Sequence, residues 1–236
     1  MDTRVFNVPR YLAELPLFTD LSPPELERLA QGCQLRRLAR GETVFRVGEP
    51  CQEFHVTVTG QVKLFAISPS GQEKVIEIIG PGASFAEALM FTGRPYIINA
   101  QALTDTLLLS VSKQAVLAEI EADSRFALRM LGGISRRLHG RLHGLVHDVE
   151  AYALHSGVQR MIGYLLRKQE AEDCVSGDVV TVSLPVSKAT VASRLSLTPE
   201  YFSRALGELE AAGLIEVDKR DIRIPDVRRL AQYPSA

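Results

Sequence analysis

"TPEYFSRALGELEAAGLIEVDKR", residues 198–220, combines a short amphipathic helix with the first strand of a hairpin, and this combination decides the fold. Thr198 is a good N-cap, and Pro199 suits the first helical position, where the missing N–H costs nothing. The apolar side chains of the helix recur at helical spacing and predict its buried face: Phe202, Leu206 and Leu209.

The flanking residues complete a larger motif. Ser187 can cap the upstream segment KATVASRL, and a tight turn at Ser196 and Leu197 joins that segment to the helix that begins after Thr198. Downstream, LIEVDKRDIRI has the pattern of a β-hairpin with a charged tip. Helix, turn, helix and hairpin together predict a winged helix-turn-helix.

The exposed face of the second helix carries side chains that suit DNA bases. Glu200, Ser203 and Arg204 are spaced i, i+3 and i+4, so they share one face. In a helix-turn-helix this part of the second helix enters the major groove, where Arg pairs with guanine, Glu with cytosine and Ser with either. A plain surface ion pair of Glu200 with Arg204 is the simpler alternative. The further predicted DNA contacts are Thr198, Tyr201, Lys188, Lys219 and Arg220.

Composition and charge limit the class of protein. The 236 residues are 46% hydrophobic and 23% charged, with a net charge of −1, which is ordinary for a globular protein. Because no segment is strongly basic, affinity for DNA must come from a local patch. The widely spaced Cys33, Cys51 and Cys174 argue against a disulfide framework and predict buried apolar side chains. Without a signal peptide or a membrane-length apolar run, the sequence predicts a cytoplasmic protein with no membrane partner.

Residues 40–111 are predicted to form a barrel or jelly roll. Short strand-like segments are separated by glycines at even spacing: ETVFRVG, EFHVTVTG, QVKLFAIS, EKVIEIIG, YIINAQA and TLLLSVS. In the second segment Phe54, Val56 and Val58 alternate with polar residues, which predicts that these three face the interior and that His55 faces outward. Before the barrel, Ser22 and the two prolines that follow it predict the start of a short helix.

A long helix is predicted over residues 124–154, because leucines recur every seven residues. The stripe is narrow, which favours packing against a second identical helix over packing against the barrel of the same chain. The predicted dimer seam contains Leu131, Ile134, Leu138, Leu142, Leu145, Val149 and Tyr152.

Three histidines on the same helix, His139, His143 and His147, recur every four residues, a spacing that can chelate a metal ion. Asp148 is the only residue of metal-ligand type that could complete the set at helical spacing. A polar stripe that faces solvent or the barrel is therefore favoured, and no metal site is assigned.

The order of barrel, long helix and winged helix, with "GETVFRVGEP", "TGQVKLF", "FAEALMF" and "TPEYFSRALGELEAAGLI", resembles the Crp/Fnr superfamily of bacterial transcription regulators over nearly the whole chain. The string E-x-x-S-R is similar to the Fnr-type pattern, because Crp-type members carry Gly at the position of Ser203. "SPSGQEKVIEI", "FAEALMF" and "PEYFSR" most resemble the Dnr branch, whose members sense nitric oxide through haem.

This resemblance implies an α+β fold in three parts. Residues 1–122 would form an effector-sensing jelly-roll β-barrel of the cyclic-nucleotide-binding type, residues 123–156 a dimerisation helix, and residues 157–236 the winged helix-turn-helix. It further implies a homodimer that binds a TTGAT…ATCAA-like palindrome in double-stranded DNA and contacts RNA polymerase. Activation and repression of transcription both stay open.

The resemblance also bears on the effector. Tyr96 and Ile97 stand where cyclic-AMP-binding members carry an Arg-Ser pair that holds the phosphate, whereas Glu87 matches the ribose-binding glutamate. With only Cys33 and Cys51 in the N-terminal part, a four-thiolate iron–sulfur cluster cannot form. The predicted effector pocket contains Phe85, Glu87, Leu89, Met90, Tyr96 and Ile97.

Haem with nitric oxide is the preferred effector hypothesis, with His55, His139 and His143 as candidate iron ligands. A regulator that responds to a cyclic nucleotide is the alternative. A metalloenzyme of the cupin type is a remote third reading, because such a site needs two or three barrel histidines and the barrel segment has one. The sequence therefore predicts a protein that is not an enzyme.

Overall fold

The structure is a computed structural model that describes residues 6–170 and 179–233. The chain divides into two compact units. One contains the residues up to Ser68 together with Ile76–His143, and the other contains Pro69–Val75 and the residues from Gly144 onward. The predicted three-part division at residues 122 and 156 stays a prediction.

The first unit begins with two short helices, α1 (Val8–Ala13) and α2 (Pro23–Gln31). Helix α2 starts as predicted, with proline at its first position after Ser22. The Glu25 carboxylate accepts hydrogen bonds from the backbone N–H of Ser22 at 2.8 Å and from its hydroxyl at 2.7 Å. These two bonds give both donors of Ser22 an acceptor at the start of the helix.

Eight strands build two antiparallel sheets of a jelly roll: β1 (Cys33–Leu38), β2 (Thr43–Phe45), β3 (Glu53–Thr59), β4 (Val62–Ile67), β5 (Glu73–Ile79), β6 (Ser84–Phe85), β7 (Asn99–Ala102) and β8 (Thr106–Ser112). The strand orders are β1-β8-β3-β6 and β2-β7-β4-β5. A 3-10 turn, Leu89–Phe91, lies between β6 and β7. The predicted barrel is confirmed, with β1 and β6 as additional strands.

The predicted outward orientation of His55 is wrong. Its side chain is 1% exposed and lies between Phe45 and Phe85, with ring centroids 5.7 and 5.1 Å away. On the opposite face of β3, Phe54 packs against Phe18, which follows helix α1. Because both faces of the strand are covered, alternation of polar and apolar residues does not identify the interior face.

Helices α3 (Lys113–Ala122) and α4 (Ser124–Leu154) follow the last barrel strand. The bounds of α4 agree with the long helix predicted over residues 124–154. The division between the two units falls within α4, after His143.

The second unit contains the end of α4 and the remaining elements: α5 (Gly157–Glu170), β9 (Val180–Ser183), α6 (Lys188–Arg194), α7 (Pro199–Ala211), β10 (Glu216–Asp218), β11 (Asp221–Ile224) and α8 (Val227–Ala231). The three strands form one sheet in the order β10-β11-β9. This arrangement confirms the winged helix-turn-helix, in which α6 and α7 are the two helices and β10-β11 is the wing.

Two features of the sequence fall outside the described residues, namely Cys174 and the polar segment DCVSGD around it. Among the helices that the structure describes, none combines the length and the apolar character needed to cross a membrane.

Candidate DNA-binding surface and effector cavity

Helix α7 has a capped start and two distinct faces. The hydroxyl of Thr198 accepts a hydrogen bond from the backbone N–H of Tyr201 at 3.2 Å, and Pro199 occupies the first helical turn. Glu200, Ser203 and Arg204 are exposed on its N-terminal half. The opposite face is buried in the second unit through Phe202, Ala205, Leu206 and Leu209. The sequence therefore places three polar side chains where a major groove can receive them.

Two cations hold the C-terminal end of α6, the helix that precedes α7. Lys74 Nζ donates to the carbonyl oxygens of Ser193 at 2.9 Å and Arg194 at 2.8 Å. Arg160 donates to the carbonyl of Leu195 at 2.7 Å. The last carbonyls of a helix have no partner within the helix and carry partial negative charge, so these contacts stabilise the turn into α7.

Tyr201 is half-buried against another element of the second unit, whereas Thr198 is exposed at the start of α7. A Cβ atom built on Gly157, at the start of α5, would lie 2.5 Å from the Tyr201 ring, so the ring lies directly against this glycine. Lys219 and Arg220 are exposed at the tip of the wing, and Lys188 is half-buried at the start of α6. A side chain at position 157 would therefore have to displace the Tyr201 ring.

Most of the predicted dimer seam is exposed on α4. The leucines Leu131, Leu138, Leu142 and Leu145 and also Val149 are between 43% and 66% exposed. Ile134 does not belong to this exposed stripe, because it is 5% exposed in the core of the first unit. Tyr152 is engaged within the second unit, where its hydroxyl receives a hydrogen bond from Lys74 and donates one to the carbonyl of Arg194.

The first unit contains a cavity of about 270 Å³ with a mostly apolar wall. It is lined by Phe45, Leu64, Phe85, Ala86, Glu87, Ala88, Leu89, Thr92, Tyr96, Ile97, Ile98 and Arg141. Five of the six predicted effector-pocket residues are in this lining. The sixth, Met90, is instead buried in the core of the first unit.

Tyr96 is fixed on the wall of the cavity. Its ring stacks on Phe45 with 3.7 Å between the ring centroids and 4° between the ring planes. Its hydroxyl donates to the carbonyl oxygen of Glu53 at 2.9 Å, and burial raises the pKa of the phenol. Ile97, by contrast, is 69% exposed. The position at which the family resemblance places a phosphate-binding arginine therefore carries an immobilised neutral ring.

Glu87 is the buried charge of the cavity. Its carboxylate is 1% exposed and forms ion pairs with Arg137 at 3.1 Å and with Arg141 at 3.8 Å. Arg141 also pairs with Glu77 at 3.0 Å. The two carboxylates and the two guanidinium groups balance each other, so this end of the cavity carries little net charge.

The lining does not fit haem. Among the described residues that form it, none offers an imidazole or a thiolate, and the Tyr96 hydroxyl already donates to a carbonyl. His55 lies outside the lining, with its Nδ1 2.9 Å from the Ser110 hydroxyl and its pKa lowered by burial to about 3. His139 and His143 lie on the exposed part of α4, with ring centroids 5.5 Å apart. The candidate iron ligands therefore do not converge on the cavity.

Comparison with protein-family models gives two matches that cover successive parts of the chain. The cyclic nucleotide-binding domain model matches residues 35–123, and the Crp-like helix-turn-helix domain model matches residues 159–233. Among solved structures, DNR from Pseudomonas aeruginosa is 36% identical to this chain. The match covers 94% of this chain and 95% of DNR, with a TM-score of 0.50. The chain belongs to the Crp/Fnr family.

Further relatives of this Crp/Fnr protein agree. A CRP-like cAMP-activated global transcriptional regulator of Mycobacterium tuberculosis is 26% identical over 94% of this chain and 97% of the relative. FixK2 from Bradyrhizobium japonicum, at 21% identity, shares the fold with a TM-score of 0.69. That match covers 86% of this chain and 98% of FixK2. The Mycobacterium tuberculosis relative is a transcription regulator rather than an enzyme, and this chain is a DNA-binding transcription regulator of the Crp/Fnr type.

Sequence reasoning missed several residues of this Crp/Fnr regulator that shape the two sites. In the cavity these are Phe45, Leu64 and Arg141, and beside α6 they are Lys74 and Arg160. The aromatic character of Phe45 was visible in the sequence, but its neighbour Tyr96 is 51 positions away. Only the sheet brings the two rings together.

Proposed function

We propose that this regulator binds, as a homodimer, a two-fold symmetric TTGAT…ATCAA-like DNA site through α7, under the control of a small effector in the cavity. The observation that carries the proposal is the polar, exposed N-terminal half of α7 above a fully buried opposite face. A helix of this kind, preceded by a tight turn and followed by a wing, is the geometry that docks in the major groove.

The exposed side chains of α7 suit particular bases. Arg204 would donate two hydrogen bonds to a guanine, and Glu200 would accept from a cytosine, each worth about 1–3 kcal/mol of discrimination. Ser203 adapts to either partner. Lys188 and the wing-tip residues Lys219 and Arg220 would contact phosphates, which set the position of the protein on DNA without reading sequence.

The second copy of the chain is the proposed occupant of the exposed stripe on α4. Leucines spaced seven residues apart, with further apolar residues between them, form the seam of a two-stranded coiled coil. A two-fold dimer would present two copies of α7 to two half-sites about 34 Å apart, and this spacing explains a palindromic target.

The proposed effector site is the cavity next to α4. Its lining includes Glu87, which follows β6, and Arg141 of α4, and these two residues form an ion pair. The resemblance to the Dnr branch leaves haem with nitric oxide as a second hypothesis, although the lining does not support it. The visible absorption spectrum of protein purified after haem supplementation tests that hypothesis, since a bound haem would give a Soret band. Contact with RNA polymerase rests on the family resemblance alone.

Fluorescence anisotropy with labelled duplexes tests the proposed DNA site. We expect the full chain to bind a palindromic TTGAT…ATCAA duplex more tightly than a duplex with one half-site scrambled, and the latter more tightly than one with both scrambled. Half-sites moved apart by about half a helical turn should also lose affinity, because the two α7 helices cannot then reach both major grooves. Equal affinity for all four duplexes would contradict the proposal.

A further inference from the structure

We propose that the cavity binds a small neutral molecule with a flat apolar body and one O–H or N–H group that donates to Glu87. This inference rests on the proposed function only in taking the cavity as the effector site. It names the chemical class of the effector and departs from the charged cyclic nucleotides that the domain type suggests.

The volume of the cavity and its apolar wall limit the size and the polarity of the ligand. A volume of about 270 Å³ lies just below the range of about 300–1,000 Å³ typical of ligand sites, so the ligand is small. Phe45, Leu64, Phe85, Leu89 and Ile98 supply apolar surface. Apolar surface of this kind favours a ligand that leaves water for the cavity.

The charges of the cavity exclude an anionic ligand. Arg141 is the only cation among the described lining residues, and it is already paired with Glu77 at 3.0 Å and with Glu87 at 3.8 Å. A phosphate or carboxylate that binds in the cavity would find no unpaired cation among the described lining residues. It would also approach the carboxylate of Glu87, and burying an unpaired charge is costly.

The buried carboxylate of Glu87 is the reason why the ligand should carry a hydrogen-bond donor. The Glu87 side chain is 1% exposed, and Arg137 pairs with Oε1 at 3.1 Å, whereas no donor among the described residues is aligned to hydrogen-bond Oε2. A buried carboxylate normally has such partners. Glu87 lines the cavity, but protein atoms cover both of its oxygens, so a ligand O–H or N–H group supplies the missing bond after the carboxylate rotates toward it.

The backbone beside Glu87 is strained. Ala86 has φ of +68°, a left-handed conformation that residues with a Cβ atom rarely adopt. Such strain is retained where the surrounding structure fixes a functional geometry, as in ligand clamps. Here it accompanies a buried carboxylate on a cavity wall, which supports a ligand-binding role for Glu87.

The aromatic pair sets the shape. Tyr96 and Phe45 stack with their planes 4° apart, and Phe85 lies 6.0 Å from Phe45, also in the lining. A planar ligand can pack against such rings in offset or edge-on arrangements. A planar ligand therefore makes more contact with these rings than a branched aliphatic ligand does.

Isothermal titration of the full chain, in the absence of DNA, tests the inference with indole as the probe. Indole is planar and neutral and has one N–H donor, whereas benzofuran has nearly the same shape and no donor. We expect saturable binding of indole at concentrations below about 1 mM. Benzofuran should bind on the order of tenfold more weakly, because the hydrogen bond to a charged acceptor is lost.

Variants assign the binding to the cavity and to Glu87. Ala88→Phe fills the cavity and should abolish indole binding, whereas Ala122→Phe makes the same change on an exposed helix end and should preserve it. Glu87→Gln replaces the carboxylate by a weaker acceptor, so the preference for indole over benzofuran should shrink. Circular dichroism establishes that each variant is folded.

Three results would overturn the inference. These are equal affinities for indole and benzofuran, unchanged indole binding in folded Ala88→Phe, and tighter binding of cyclic AMP or benzoate than of indole. Because no DNA is present in the titration, its outcome is independent of the palindrome experiment.

Discussion

Tyr96 lies flat on Phe45, with 3.7 Å between the ring centroids, at the position where cyclic-AMP-binding relatives are expected to carry a phosphate-binding arginine. The Tyr96 hydroxyl is tied to the carbonyl of Glu53, so the ring does not swing aside without losing both contacts. The cavity therefore presents a neutral wall where a cyclic phosphate would need a cation.

Because this wall offers the phosphate no cation, we expect calorimetry to show no saturable binding of cyclic AMP to the wild-type chain up to about 1 mM. Tyr96→Phe keeps the stacked ring and should behave in the same way. Micromolar affinity for cyclic AMP in the wild type would show that another group holds the phosphate.

Acid should destabilise the first unit through Glu25. Burial alone would raise the pKa of this carboxyl group, but hydrogen bonds from Ser22 and Arg129 outweigh burial and hold the pKa below its usual 4.5. A carboxyl group whose pKa is lowered on folding stabilises the protein above its unfolded pKa, and the contribution disappears as the pH falls through the folded pKa. Glu25 should therefore stabilise the fold at pH 7 and lose this effect below about pH 4.5.

Urea unfolding followed by far-UV circular dichroism checks this effect. Glu25→Gln should lower the free energy of unfolding at pH 7, and its difference from the wild type should shrink toward pH 3. The control is Glu27→Gln on the exposed side of the same helix, which should change stability by less than about 0.5 kcal/mol. A Glu25→Gln effect that is independent of pH would show that packing, rather than charge, is responsible.

The dimer seam should be sensitive to charge at Leu138. This side chain is 43% exposed in the single chain, and in the proposed coiled coil Leu138→Glu would bury a carboxylate without a partner. Sedimentation velocity should then show monomers at micromolar concentration. Leu117→Glu places the same charge on α3 at a position of similar exposure, 39%, and should leave the dimer intact. A Leu138→Glu protein that sediments as a dimer would contradict the seam.

Gly157 should not tolerate a methyl group. A Cβ atom there would lie 2.5 Å from the Tyr201 ring, so Gly157→Ala must shift this half-buried ring at the start of α7. We expect a loss of stability of about 1–3 kcal/mol from overpacking, together with weaker operator binding. Gly163→Ala within α5 meets nothing within 4 Å and should instead raise stability by about 0.5–1 kcal/mol. Thermal melts and anisotropy of the two variants measure the contrast.

Local signals in the sequence predicted much of the fold. Ser22, Ser187 and Thr198 each precede a helix, and glycines mark the turns between strands. Strand β1 escaped prediction because its alternation is short and breaks at the adjacent Arg36 and Arg37, and its pairing with β8 defines it. Strand β6 has two residues, too few to leave a pattern.

The two sites differ in how well the sequence alone predicts them. The α7 surface is local, since Glu200 and Arg204 share a helix face by spacing alone. The cavity is non-local, because Phe45 and Leu64 both lie opposite Ala100 in neighbouring strand pairs, a register that the sequence does not specify. His55 was misplaced for a related reason, since Phe18, between α1 and α2, packs on the other face of β3.

The most direct test of base reading by α7 is the operator affinity of Arg204→Ala on two duplexes, the TTGAT…ATCAA palindrome and a fully scrambled sequence, measured by anisotropy at one salt concentration. We predict a loss of about 1–3 kcal/mol per half-site on the palindrome and little change on scrambled DNA. Lys219→Ala at the wing tip, a proposed phosphate contact, should weaken both duplexes alike. Equal losses on both duplexes for Arg204→Ala would contradict the claim that this arginine reads a base.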